Sequence, residues 1–282
     1  MDKRRMCPHC RAFITTDDKV CPYCETPVGP RAIDLRGGGE FIAGLIPPAR
    51  FASTIILSLN VAIFVILLLA SGRSGQGGIM QIDQWTMVRY GAAAPLLVFR
   101  EGEWWRLITA GFLHWGLMHI LFNCWAMMDV AGHTEEIYGT PRMVAIYLGS
   151  TIMGFFVSML WRSGIPVAVS AGASAGLFGL IGAMVAVGVI HRKSEQAAMI
   201  KDFYLRWAIY AFLWSLLPFF RADNAAHAGG FSGGFLIALA AGTQRGFPHP
   251  SDKVWTAIAG ILTALAGWSF VRMFFWLLAA SK

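Results

Sequence analysis

Residues 172–190 read GASAGLFGLIGAMVAVGVI, nineteen residues without a charge. The run is continuous rather than alternating, and it is longer than the ~10 residues of a barrel strand. It is also apolar all round, where a surface helix of a soluble protein keeps a polar face. It predicts a helix over 173–190 immersed in lipid, a medium that only helices and closed barrels can cross with every backbone group satisfied. Spanning a ~30 Å hydrocarbon core at ~1.5 Å per residue takes about 20 residues. Runs of the same character precede it at roughly 51–71, 107–130 and 143–161 and follow it at 204–220, 225–242 and 254–278. The expected fold is therefore an all-α polytopic membrane protein.

Composition agrees with that reading. The 282 residues are 56% hydrophobic and 14% charged, against about 25% charged in a soluble domain. A net charge of +7 would suit nucleic acid, but the basic residues have a membrane explanation. With a cytoplasmic N-terminus, fifteen lysines and arginines fall on inner segments and seven on outer ones. The basic tail before residue 51 and the Arg192–Arg206 loop carry that orientation. Nucleic acid is thus excluded as a partner and the lipid bilayer takes its place. The first 50 residues are polar and lack the apolar core of a secretory signal, so the 51–71 run is expected to stay in the mature protein. The segment 72–106 holds Trp85, Tyr90, Trp104 and Trp105. It reads as a structured, partly embedded loop on the outer face, since such aromatics favour the headgroup level.

Polar side chains inside membrane helices are costly and mark function by default. Three groups stand out. Gly172-Ala173-Ser174-Ala175-Gly176 matches the Gly-x-Ser-x-Gly elbow of soluble hydrolases, but that elbow needs a preceding strand in a mostly parallel sheet. Membrane helices surround it here, which rules the soluble hydrolases out. The pattern still suits a nucleophile: small neighbours admit a substrate backbone, and a helix N-terminus offers N–H groups to an oxyanion. The same small residues also suit close helix packing. In Ala226-His227-Ala228-Gly229-Gly230-Phe231-Ser232-Gly233-Gly234, Gly230 and Gly234 line one face and allow this helix to lie against the one carrying Ser174, bringing His227 to it. A histidine so placed can take a serine proton and return it to a leaving amine. In His114-x-x-x-x-His119-x-x-x-Asn123, His119 and Asn123 share a helix face, and their N–H groups suit an oxyanion or polar glue between helices.

In order along the chain, Trp105-Arg106, His114…His119…Asn123, Gly172-Ala173-Ser174 and Ala226-His227-Ala228-Gly229-Gly230…Gly234 resemble the rhomboid family of intramembrane serine proteases. The resemblance spans roughly residues 50–245, a six-helix core, and the 254–278 run resembles the additional C-terminal helix of some members. It implies Ser174 as nucleophile and His227 as base, a dyad without an acidic third member. His119, Asn123 and the Ser174 backbone N–H would form the oxyanion hole. Phe178 would pack on the His227 ring, and the Trp105-Arg106 loop would brace the fold. Catalysis would need no cofactor. The expected substrates are single-span membrane proteins cut near the outer face, with access through movement of the 204–220 helix and the loop near 218–226. Two rivals differ in kind. One is a non-catalytic rhomboid-like protein that binds membrane clients, but such relatives usually lack the serine or the histidine. The other is a channel or transporter, which needs polar residues at several depths, whereas those here cluster in one half.

Cys7-Pro8-His9-Cys10 and Cys21-Pro22-Tyr23-Cys24 make two Cys-x-x-Cys pairs, a pattern for a closed four-thiolate zinc site resembling a small zinc ribbon. A cytoplasmic position favours metal over disulfides. Cys124, in an apolar segment, reads as a packing residue. The expected organisation is a zinc module at 1–24, a Gly- and Pro-rich linker at 25–50, the membrane core at 51–245 and the additional helix at 246–282. A bacterial inner membrane is the expected location.

Overall fold

The computed structural model describes residues 4–7, 9–10, 12–15, 18–28, 50–74, 77–165, 167–216, 222–244 and 249–280. They form two compact units, a small amino-terminal one and a large helical one. In the first, β1 (Arg4–Met6) pairs antiparallel with β2 (Phe13–Thr15), Met6 opposite Phe13. A bridge between Val20 and Pro27 closes a second turn.

The helical unit opens with α1 (Phe51–Ser74). Two short helices, α2 (Gln84–Arg89) and α3 (Pro95–Phe99), then give structure to the long connection. Next come α4 (Arg106–Thr109), a 3-10 turn (Ala110–Phe112) and α5 (Leu117–Ala126), which continues through a π turn (Met127–Ala131) into α6 (Gly132–Tyr138). The remaining helices are α7 (Thr140–Trp161), α8 (Ser174–Ile190), α9 (Glu195–Ser215), α10 (Asn224–Ala241) and α11 (Pro250–Ala280). Segments of α1, α7 and α11 are each long and apolar enough to cross a membrane. The bent pair Arg106–Phe112 and Leu117–Tyr138 makes a fourth such span. The chain is an all-α polytopic membrane protein. Its lipid-facing surface is legible in exposed Ile55, Leu59, Ile66 and Leu69 of α1 and in exposed Ile261, Val271, Phe274 and Leu278 of α11.

Two expected helices are corrected. The span expected at 107–130 is not continuous: its two halves meet at 92°. The break at Leu113–Gly116 is held by the preceding loop, because Ile82 N–H donates to the Trp115 carbonyl and Leu117 N–H to that of Ile79. Gly116 is needed there, since a Cβ would overlap the Met80 carbonyl. Irregular backbone at membrane depth is stable where protein, rather than lipid, satisfies it. The span expected at 204–220 begins nine residues earlier, at Glu195, with Ser194 as its N-cap. Lys201 and Arg206 therefore lie on α9, and the loop expected over 192–206 shrinks to residues 191–194. Residues 217–221, which include the first four residues of the expected access loop, lie outside the described residues.

α8 is the axis of the unit. Every residue from Ala175 to Val187 is buried, which is why its sequence has no polar face. α10 approaches it backbone to backbone. A Cβ on Gly230 would overlap the Ala175 carbonyl, and one on Gly234 would overlap Gly179. The far end is tied by charge. Buried Glu135 accepts the N–H groups of Ala52 (3.0 Å) and Ser53 (2.9 Å) at the start of α1 and the hydroxyls of Ser53 (2.6 Å) and Thr140 (2.7 Å). A carboxylate is favoured there by the free N–H groups of a helix N-terminus. Arg142 reaches the Ala241 carbonyl at 3.2 Å and Asp252 at 2.7 Å, pinning the end of α10 and the start of α11 to α7.

Candidate active site

Ser174 is the first residue of α8, and His227 lies in the first turn of α10. The Gly230–Ala175 contact brings those two turns together. His227 Nε2 is 2.9 Å from Ser174 Oγ, hydrogen-bond distance for a nucleophile and its base. The His227 ring is 5% exposed and lies flat on Phe178, centroids 4.2 Å apart and planes 12° apart. Its other nitrogen, Nδ1, is buried and has no hydrogen-bond partner among the described residues. The pair is thus a dyad in geometry, with ring orientation set by stacking and by the helix that carries it.

The His114–Asn123 group lies around the bend before α5. His119 Nδ1 accepts a long (3.4 Å) hydrogen bond from Trp115 N–H, which leaves Nε2 as the protonated nitrogen. His114 is fully buried, its ring edge-on to that of His119 at 5.2 Å. Asn123 donates from Nδ2 to the His119 carbonyl at 2.8 Å, so one of its two amide hydrogens is engaged within its own helix and one remains. Gly172 closes this corner. Its φ is +146°, and a Cβ on it would lie 2.8 Å from His119 Cε1, 3.0 Å from His119 Nε2 and 3.5 Å from Ser174 Oγ. The space that Gly172 leaves open is therefore bordered by both the serine hydroxyl and the His119 ring nitrogen. Ser174 and His119 are both partly exposed.

Trp105 and Arg106 stand apart from this chemistry. Arg106 is fully buried and donates to the carbonyls of Val88 (2.6 Å) and Ala92 (3.1 Å), which gathers the loop carrying α2 and α3. Its guanidinium lies 4.4 Å from the Trp105 ring and 4.9 Å from that of Trp276 on α11. The sequence reading passed over Asp223, which caps α10 and bonds Ser158 and Ser170. An Asp immediately ahead of the 225–242 run is an N-cap signature that marks it.

In the amino-terminal unit, Cys7, Cys10, Cys21 and Cys24 are free thiols whose sulfurs all lie within 4.8 Å of one another. Cys7–Cys24 and Cys10–Cys21 are each 3.7 Å. Zn–S bonds of about 2.3 Å in a tetrahedron require sulfurs about 3.8 Å apart, so the four fit such an ion. Each pair sits in a tight turn, closed by Cys7 N–H to Ala12 O and Cys21 N–H to Thr26 O. The Thr26 hydroxyl and backbone N–H pull Cys24 down to about 5. At Cys10 a backbone bond at Ala12 also lowers, but burial and the neighbouring sulfurs push it up to about 12. Four crowded thiols ionise together only with a cation between them.

A family model described as Rhomboid domain matches residues 101–244. Among curated proteins, the chain is 36% identical to "Rhomboid protease GluP" of Bacillus subtilis over 163 residues, 57% of this chain and 30% of that one. It is 36% identical to "RHOMBOID-like protein 5" of Arabidopsis thaliana over 173 residues, 58% of this chain and 53% of that one. It is 37% identical to "Rhomboid-like protease 3" of Toxoplasma gondii over 156 residues, 54% of this chain and 57% of that one. The chain therefore spans between about a third and somewhat over half of these relatives. The four cysteines lie outside the matched family domain.

Proposed function

The chain belongs to the rhomboid family, and on that premise we propose that it is an intramembrane serine endopeptidase working through a Ser174–His227 dyad. The observation that supports this best is the 2.9 Å contact between Ser174 Oγ and His227 Nε2, with the ring stacked on Phe178. His227 takes the Ser174 proton as Oγ attacks the scissile carbonyl. The developing oxyanion turns towards His119 Nε2–H, the free Asn123 amide hydrogen and the Ser174 backbone N–H, groups already fixed in place. His227 returns the proton to the leaving amine. Water, activated by the same imidazole, then hydrolyses the acyl-enzyme. No cofactor enters these steps.

The substrates proposed are single-span membrane proteins. A helix hides its carbonyls in hydrogen bonds, so a segment must unwind before it is cut, which favours helix-weakening residues near the scissile bond. α8 has 17 residues, about 26 Å. It is shorter than the ~30 Å hydrocarbon core, so Ser174 is recessed and water reaches it through an open cavity. We place this end at the outer face, the N-terminus in the cytoplasm, and the protein in a bacterial inner membrane. The division proposed is a module at 1–24 holding structural zinc on Cys7, Cys10, Cys21 and Cys24, a linker at 25–50, the core at 51–245 and an additional helix at 246–282. With four thiolates the zinc has no open position, so its contribution is folding of the module.

The test is cleavage of a model transmembrane substrate by the reconstituted protein, with Ser174→Ala and His227→Ala alongside. Cleavage by wild type and silence from both folded variants is the expected result. If all three behave alike on a panel of substrates and a fluorophosphonate leaves Ser174 unlabelled, the reading fails in favour of a client-binding protein.

A further inference from the structure

His227 Nδ1 has no partner among the described residues, so the ring is aimed by packing and by where α10 starts. Asp223 sets that start. Its Oδ1 accepts Ala226 N–H at 3.0 Å, and its backbone carbonyl accepts His227 N–H at 3.0 Å. An ordinary N-cap stops there. Here the second oxygen, Oδ2, accepts two further hydrogen bonds, from the hydroxyls of Ser158 on α7 and Ser170, four residues before Ser174. Both serines are buried, and Arg162 Nη2 stands 3.5 Å from Oδ1. Ser170 is held from its other side by backbone bonds to Ala93 at 2.8 and 2.9 Å. One carboxylate thus joins the first turn of the helix carrying His227, the segment leading into Ser174 and the end of α7. Hydrogen bonds to an ionised acceptor are the strong kind, and removing it would strand two buried hydroxyl donors.

We propose that Asp223 is a positioning residue for the dyad: it clamps the start of α10 to the 170–174 segment and so maintains the Ser174–His227 contact. This rests on the peptidase reading. The carboxylate acts through the backbone of α10 and through Ser170, so its loss should slow the chemical step and leave substrate binding unchanged.

The experiment uses the full chain in phospholipid vesicles with a model single-span substrate. It compares wild type, Ser174→Ala, Asp223→Ala, Asp223→Asn and Ser170→Ala by kcat, KM, rate of fluorophosphonate labelling and thermal unfolding. Asp223→Ala is expected to lower kcat about 30-fold with KM within about twofold, because an ångström of misplacement is worth up to about a hundredfold. Labelling of Ser174 should slow in step. Asp223→Asn keeps one oxygen for the Ala226 N–H and should recover part of the rate. Ser170→Ala should lower kcat several-fold while unfolding almost as wild type does, and it carries the test if Asp223→Ala does not fold. The proposal is overturned if the folded variants turn over at the wild-type rate, if only the unfolding temperature falls, or if KM rises at constant kcat. Wild type as silent as Ser174→Ala would remove the peptidase reading itself, a result distinct from active wild type with indifferent Asp223 variants.

Discussion

Gly230 lies so close to the main-chain carbonyl of Ala175 that any Cβ at position 230 would overlap that oxygen. This contact puts the first turn of α10 beside the first turn of α8. Gly230→Ala must push the helices apart, and His227 moves with α10. Cleavage is expected to fall about a hundredfold, with a stability loss of about 1–3 kcal/mol from overpacking. Turnover and thermal unfolding measured on the same preparation check it. Near-normal turnover would mean that something other than this contact sets the dyad.

Gly172 is constrained twice, by its φ of +146° and by the His119 ring, 2.8 Å from where its Cβ would be. Gly172→Ala is expected to displace that ring and cost about 10²–10³ in kcat, the scale for losing one oxyanion donor. Because both changes remove the same interaction, His119→Ala added to Gly172→Ala should cost little more. A double-mutant cycle on kcat reads this directly, and multiplicative losses would show that the two positions act separately.

The stacking of Phe178 on His227, at 4.2 Å and 12°, helps hold a ring whose Nδ1 has no partner among the described residues. An aromatic pair is worth about 0.5–1.5 kcal/mol beyond its buried area. Phe178→Leu is therefore expected to slow turnover by up to about tenfold, and Phe178→Tyr to restore it. A leucine variant with full activity would show that helix position alone aims the imidazole.

The helices were readable because uniformly apolar runs have few other meanings, and α8 was clearest because it is buried on all sides. The break at Leu113–Gly116 was not readable: it depends on hydrogen bonds from residues 79–82, distant in sequence and brought there by the fold. The start of α9 was missed because Glu195, Lys201, Asp202 and Arg206 make its first turns look like a loop, although Ser194 is a sound N-cap. Ser174, His227 and Gly230 were visible as polar or glycine interruptions in apolar runs. Asp223 was hidden by its position at a helix boundary, where an acidic residue excites no notice until Ser158 and Ser170 arrive from elsewhere.

Trp276 gives α11 a definite task. It covers one face of the buried Arg106 guanidinium at 4.9 Å while Trp105 contacts it at 4.4 Å. Trp276→Ala is expected to cost about 1–2 kcal/mol, the range for a desolvated cation–π contact, plus its share of packing. Trp268→Ala is the comparison, since that side chain is largely exposed and its ring lies 5.6 Å from the Arg272 guanidinium. Thermal unfolding should separate the two variants. Equal shifts would mean that α11 contributes general packing and no specific hold on Arg106.

The four cysteines make the last prediction, and it is independent of the dyad. Two sulfur pairs at 3.7 Å match the edge of a zinc tetrathiolate, and Cys7 and Cys21 are buried. Elemental analysis of the purified chain should find about one zinc per molecule, falling to near zero in Cys7→Ser or Cys21→Ser. Lowering the pH should release the metal, since protons compete for the thiolates. Because the site is closed and the proposed chemistry resides in Ser174 and His227, a chelator that strips the zinc should leave cleavage of a model transmembrane substrate unchanged. Should cleavage stop on chelation and return when zinc is added back, the module takes part in catalysis or its control; a chain with intact cysteines and no bound metal would remove the zinc site altogether.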